Sequence, residues 1–135
     1  RGAQLAAGGK VAQGEWLLFL HADTVLEKGW EGEVLHFIND GEGGDTKRAV
    51  VFQFRLNDIS RAARCLEWIV ALRCKLFALP YGDQGLLISR EFYTSLGGFS
   101  EIPLMEDVDL VRRIGAKRLF FLEHAAITDA ARYQL

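Results

Sequence analysis

The stretch Trp16-Leu17-Leu18-Phe19-Leu20-His21-Ala22-Asp23-Thr24 decides how this chain is read. Five apolar residues without alternation run directly into a histidine and an aspartate. Such runs suit a short strand covered on both faces, as in a parallel sheet between helices. In open α/β sheets ligands collect at the carboxyl ends of the strands, and Asp23 lies just past that end. A carboxylate there reaches solvent and a ligand while its strand stays buried. Hard divalent cations take oxygen ligands and often bridge a carboxylate to phosphates, so the stretch fits a metal–diphosphate site. The same aspartate also reads as a turn or cap residue, with Asp23-Thr24 starting a helix. His21 reads equally as a hydrogen-bonded edge residue. Neither His36, His124 nor the cysteines show metal-ligand spacing with it, which argues against zinc.

The chain has 135 residues, half of them apolar and a quarter charged, with a formal net charge of -2. That length supports one domain with its own core. The composition is globular rather than disordered, and no global basic field argues for nucleic acid. No apolar run is long enough for a membrane span, and no signal peptide is visible, although the chain does not begin with Met. Cys65 and Cys74 stand too far apart along one helix to bond each other, and read as buried or half-buried thiols in a reducing compartment.

Outward from the opening stretch, the pattern predicts a helix over residues 1–13, stopped at Gly14, and another over 30–38 with Trp30, Val34, Phe37 and Ile38 on one face. Residues 39–46 (NDGEGGDT) form a loop, and 49–56, alternating and rich in Val and Phe, a strand. Asp58 can cap a long helix over 59–78 with a core stripe of Ile59, Ala62, Ala63, Leu66, Ile69, Val70, Leu76 and Phe77, which Pro80 ends. Arg61, Arg64, Arg73 and Lys75 flank that stripe. A basic, amphipathic helix of this kind can also rest on a membrane. A loop over 81–85, a strand over 86–89, a short helix over 91–96, a helix over 106–114 and a strand over 119–123 complete an α/β chain.

Glu106, Asp107 and Asp109 begin the helix over 106–114, with Arg112 and Arg113 in its next turn. Carboxylates are favoured at a helix N-terminus, and Asp109 can pair with either arginine, which explains the cluster structurally. Chemically, clustered like charges raise at least one pKa while the helix terminus opposes the shift. The result is a carboxylate kept ionised yet able to take a proton from a hydroxyl.

Taken in order, the runs RGAQLAAGGKVAQGEWLLFLHADT (1–24), YGDQGLLISRE (81–91), LGGF (96–99) and MEDVDLVRR (105–113) resemble the family 2 glycosyltransferases. The nearest likeness is the bacterial subgroup associated with radical-SAM/selenodomain gene clusters, and it covers nearly the whole chain. The resemblance implies a single partial domain over 1–135: the C-terminal portion of a nucleotide-diphospho-sugar transferase, or GT-A-like, three-layer α/β/α fold with a mixed sheet. It also implies inverting transfer of a sugar from a nucleotide-diphosphate donor to a sugar or lipid-linked hydroxyl acceptor, in the cytoplasm or at the inner face of the membrane.

Carried onto this chain, the resemblance makes Asp107 the catalytic base and Glu106 its neighbour and substitute. His21-Ala22-Asp23 becomes a DXD-like motif in which Asp23 holds Mg²⁺ or Mn²⁺. Arg1, Gln4, His21 and Arg132 join Asp23 on the donor side, and Tyr81, Asp83 and Gln84 shape the acceptor side. The departures are His21 in place of an acid, Ala6 in place of an asparagine, and Asp129-Ala130-Ala131-Arg132 where Ser-Ala-Arg-Arg is usual. The family's opening strand–helix–strand unit, which recognises the nucleotide base, is not in this sequence, so the resemblance implies either a fragment of a longer enzyme or a chain truncated in nature. Loss of that unit would expose a sheet edge and invite a homodimer. These departures support an alternative, a non-catalytic sugar- or protein-binding remnant of the fold. Nucleotidyl transfer, a third reading, fits Glu106-Asp107 and Gly97-Gly98-Phe99 less well.

Overall fold

The computed structural model describes residues 2–40, 46–57, 60–77, 84–102 and 105–129, with side chains placed in all but 73–77 of these. Among the described residues five α-helices and five strands build one mixed sheet between helices: α1 (Gly2–Val11), β1 (Trp16–Phe19), β2 (Thr24–Leu26), α2 (Trp30–Asn39), β3 (Ala49–Leu56), α3 (Arg61–Phe77), β4 (Leu86–Ser89), α4 (Arg90–Ser95), α5 (Glu106–Ile114) and β5 (Leu119–Thr128), with a 3-10 turn over Ala116–Arg118 before β5. The strand order is β1-β4-β3-β5-β2. Only β3 and β5 run parallel; β1–β4, β4–β3 and β5–β2 are antiparallel. The chain is thus α/β, as its pattern of elements predicts, and its sheet is mixed.

The faces of the sheet follow from the strand period of two. Ala49 and Val51 of β3 point into a core with Leu17, Ile88, Phe92, Leu110 and Ile114, which places α1, α4 and α5 on one side. Val50 and Phe52 point the other way, against Leu87, Leu122 and Val34, with Trp30 and Phe37 of α2 packed over them. The far end of β3 carries Phe54 and Leu56, which pack with Ala63, Leu66 and Val70 of α3. Ser60 begins α3, its Oγ accepting from Ala63 N at 3.1 Å. Asp58, the expected cap, lies outside the described residues. Ser89 caps α4 in the same way, accepting from Phe92 N.

Several expectations are corrected. The Trp16–Phe19 run is covered on both faces, with Leu17 and Phe19 in one core and Trp16 and Leu18 against the other. It is nonetheless an edge strand with an antiparallel neighbour, not a member of a parallel sheet. Thr24 begins β2 rather than a helix. The final strand runs on to Thr128. Cys65 is exposed rather than buried. In α3 the sheet-facing stripe is Ala63, Leu66 and Val70, while Ala62 and Ile69 face solvent.

Past Val51 the ladder between β3 and β5 shifts: Val51 pairs with Phe121, but Gln53 pairs with Ala125. Such an irregularity leaves backbone donors without a strand partner. Two carboxylates from elsewhere in the chain supply acceptors. Glu33 of α2 accepts from Glu123 N at 2.8 Å and His124 N at 2.9 Å, and Glu27 accepts from Ala125 N at 3.0 Å.

Candidate functional site

Strands β1 and β2 lie at opposite edges of the sheet, so residues 20–23 carry the chain across its end. They do so with a turn in which Thr24 N donates to His21 O at 3.1 Å. Gly85 makes the crossing possible. Its φ is +71°, and a Cβ there would meet Leu20 Cδ1 at 3.2 Å and Phe52 Cδ2 at 3.3 Å. A side chain at Gly85 would therefore press on the Leu20 side chain, next to His21, in a backbone conformation that already disfavours one.

From the other side α5 brings its acids to the same place. Met105, its N-cap, has φ +66° and ψ +26°, the one positive φ at a non-glycine position among the described residues. A bulky residue held there stores local strain, which is a pointer to function. Glu106 follows, 1% exposed, and then Asp107, half-buried, whose Oδ1 accepts from Val108 N at 2.8 Å. Both carboxyls stand in the first turn of α5, where the helix terminus favours negative charge.

His21, Glu106 and Asp107 line one pocket, walled by Leu5, Phe19, Leu20 and Phe99. Its volume, about 30 Å³, holds a water or a hydroxyl group rather than a sugar ring. Asp23 is exposed and outside this lining, two residues along from His21. Thr24 Oγ1 lies 3.5 Å from its Oδ1 and 3.1 Å from Thr128 Oγ1. Gln4 is exposed on α1, beside the pocket-lining Leu5. Gln84 is buried, its Nε2 donating to Phe52 O at 3.2 Å, so it pins the start of β4 to β3. Arg1, Tyr81, Asp83 and Arg132 lie outside the described residues.

The third acid of the cluster has a structural task. Asp109 Oδ2 accepts from Ser100 Oγ at 2.7 Å and from the Arg113 guanidinium at 2.9 Å. The Ser100 hydroxyl foremost, and then Arg113, hold its carboxyl below the ordinary value against the opposing effect of desolvation. Arg113, paired with Asp109 as the spacing predicts, also donates to Leu96 O and Gly98 O and so fixes α5 to the glycine turn.

Among the described residues no group of three or more His, Cys, Asp or Glu side chains is arranged to hold a metal ion. The donor set at the crossing is one exposed carboxylate, Asp23, with the imidazole of His21 nearby in sequence. That set has too few oxygen ligands to hold a Mg²⁺ or Mn²⁺ by protein alone. No protein-family model matches the chain, and no curated protein matches it.

Proposed function

We propose that this chain carries the hydroxyl-activating part of an inverting glycosyltransferase that moves a sugar from a nucleoside-diphosphate donor to a hydroxyl acceptor. The observation that carries the reading is the meeting of His21, from the segment crossing the sheet, with Glu106 and Asp107 at one small pocket. In this reading Asp107 takes the proton of the acceptor hydroxyl. The freed oxygen attacks the anomeric carbon from the face opposite the leaving diphosphate, inverting that centre. Asp107 stands in the first turn of α5, where the helix terminus favours an anionic group. Buried Glu106 and the strained Met105 position it.

His21 offers its imidazole to the donor ribose or phosphate, with Gln4, Arg1 and Arg132 as further donor-side groups. Tyr81 and Asp83 orient the acceptor, next in sequence to Gln84, whose Nε2 donates to Phe52 O. A divalent cation bound by Asp23 and the donor phosphates would neutralise charge on the departing diphosphate. The reading locates the activity in the cytoplasm. No described helix is long and apolar enough to cross a membrane.

A panel of nucleotide sugars with Mg²⁺ or Mn²⁺, assayed for nucleoside diphosphate release, tests the reading. Asp107→Asn is expected to lose on the order of a hundredfold or more in turnover, with the heat of donor binding unchanged. Turnover retained in that variant removes Asp107 as the base. Asp23→Ala is expected to weaken metal-dependent donor binding, and unchanged titration heats remove Asp23 from the site. The departures at Ala6 and over Asp129-Ala130-Ala131 favour the second reading, a sugar- or protein-binding remnant of such an enzyme. Sugar binding without turnover, unaffected by Asp107→Asn, would decide for it.

A further inference from the structure

We infer that α3 lays its outer face on an anionic membrane surface. The helix turns Ala63, Leu66 and Val70 to the sheet, yet its opposite face is also apolar: Ala62, Cys65, Trp68, Ile69 and Leu72 all face outward. Trp68 is 65% exposed, Ile69 51% and Leu72 39%. Residues 65, 68, 69 and 72 repeat at helical spacing, so they form one continuous ridge. A helix apolar on all sides is ordinarily covered on all sides, and a contiguous exposed apolar patch marks a contact surface.

The charge of the helix selects what covers the ridge. Residues 61–77 carry four basic side chains and one acid. Arg61 is exposed on the outer side, while Arg64, also exposed, turns its guanidinium back to Leu56 O at 3.3 Å. The acid, Glu67, is largely withdrawn from solvent and paired with Arg64 at 2.8 Å. A second copy laid on this ridge would set Arg61 against a helix whose one acid, Glu67, is already paired with Arg64. An anionic lipid surface complements the basic side chains instead. It takes tryptophan and aliphatic side chains at the level of its headgroups while arginines reach its phosphates. With four basic residues in its length, α3 suits lying in the interface rather than spanning it.

The same placement brings a second feature to the bilayer. A groove of about 500 Å³ beside α3 is lined by Trp68, Ala71, Phe121 and Gln84. Phe121, itself 44% exposed, extends the apolar patch from the helix onto β5. The groove therefore runs from the ridge to the residue that precedes the pocket-lining Gly85.

Co-flotation of the full chain with vesicles tests the inference without reference to any enzymatic activity. The chain should float with vesicles of phosphatidylcholine mixed with phosphatidylglycerol, and far less with phosphatidylcholine alone. Trp68→Ser and Leu72→Gln, both at exposed positions, should each lower the partition at least about tenfold without altering thermal unfolding. Arg61→Ala should lower it about fivefold, and added salt should do the same. Failure to float with either vesicle, or flotation indifferent to Trp68→Ser and Leu72→Gln, overturns the inference. A dimer in light scattering that Trp68→Ser dissociates also overturns it and gives the ridge to a second copy.

Discussion

The guanidinium of Arg113 lies 2.9 Å from Asp109, one helical turn back, while the same nitrogen donates to Gly98 O at 2.6 Å. Its other terminal nitrogen donates to Leu96 O. One side chain thus ties α5 to the glycine turn after α4. A planar fork reaches all of these acceptors at once, and an ammonium cannot. Arg113→Lys is expected to cost about 2 kcal/mol and Arg113→Ala about 3, since bonds from a charged donor are lost and carbonyls are left unmatched. Thermal unfolding checks this, at roughly 3–5 °C per kcal/mol for a chain of this size. A lysine variant as stable as the parent would show that the charge matters and the fork does not.

Glu33 serves β5 from a distance. Its carboxylate accepts from two successive backbone donors, Glu123 N and His124 N, and meets His124 Nδ1 at 2.7 Å. Glu33→Ala strips the irregular part of the ladder of its acceptors and is expected to destabilise by about 1–3 kcal/mol, less where water replaces the lost partner. Hydrogen exchange should show faster loss of protection at Glu123 and His124 than elsewhere in β5. Uniform exchange in both proteins would mean that the ladder does not depend on Glu33.

Three carboxyls give the fold an acid limit. Desolvation would raise Glu33, but the backbone donors of Glu123 and His124, with the His124 side chain, outweigh it and lower its pKa. The Ala125 N–H first and Arg55 second lower that of Glu27, and the Ser100 hydroxyl first and Arg113 next lower that of Asp109. A carboxyl with a depressed folded pKa stabilises the fold fully above its unfolded value. That stability is lost as pH falls through the folded value. The unfolded values are 4.5 for glutamate and 3.8 for aspartate. Midpoints of unfolding should therefore hold steady from neutral pH to about 5 and fall below about 4. The double variant Glu33→Gln with Asp109→Asn should flatten that fall, and an unchanged acid slope would assign it to other groups.

Much of this architecture is legible in residue order, and what is not has physical reasons. The helices at 30–39 and 106–114 and the strand at 49–56 announce themselves through period and stops. The Trp16–Phe19 run correctly signals burial on two faces, but side chains report what covers a strand and not which strand pairs with it. Strand β2 is too short for any period to show, with Thr24 buried and Val25 exposed. The later half of β5 is invisible because Glu123 and His124 break the apolar run, and the groups that sustain it, Glu27 and Glu33, lie far away in sequence. In α3 an apolar residue stands at nearly every angle, so periodicity alone could not tell the packed stripe from the exposed one. At the site, Glu106, Asp107 and His21 are legible as residue types, whereas their meeting depends on the chain crossing the sheet between β1 and β2.

That crossing turns on Gly85, and Gly85→Ala tests it. Two costs fall together at this position. With φ at +71°, any side chain is strained before it touches a neighbour. A Cβ would also press on Leu20 Cδ1 and Phe52 Cδ2, at 3.2 and 3.3 Å. Phe52 is fully buried and packs with Trp30, ring centroids 6.2 Å apart, so it has little room to retreat. Leu20 is half-buried and is the neighbour more free to give way. The strain and the overpacking together are expected to cost roughly 2–4 kcal/mol, and the relief available is a shift of residues 20–23. Because His21 follows Leu20 directly, that shift should move the imidazole relative to Asp107. Leu20→Ala in the Gly85→Ala background opens space beside the new methyl and should recover part of the lost stability. The His21 ring resonances in NMR spectra report the displacement. Unmoved His21 resonances in a destabilised Gly85→Ala protein would show that the glycine serves the core alone and does not set the crossing segment.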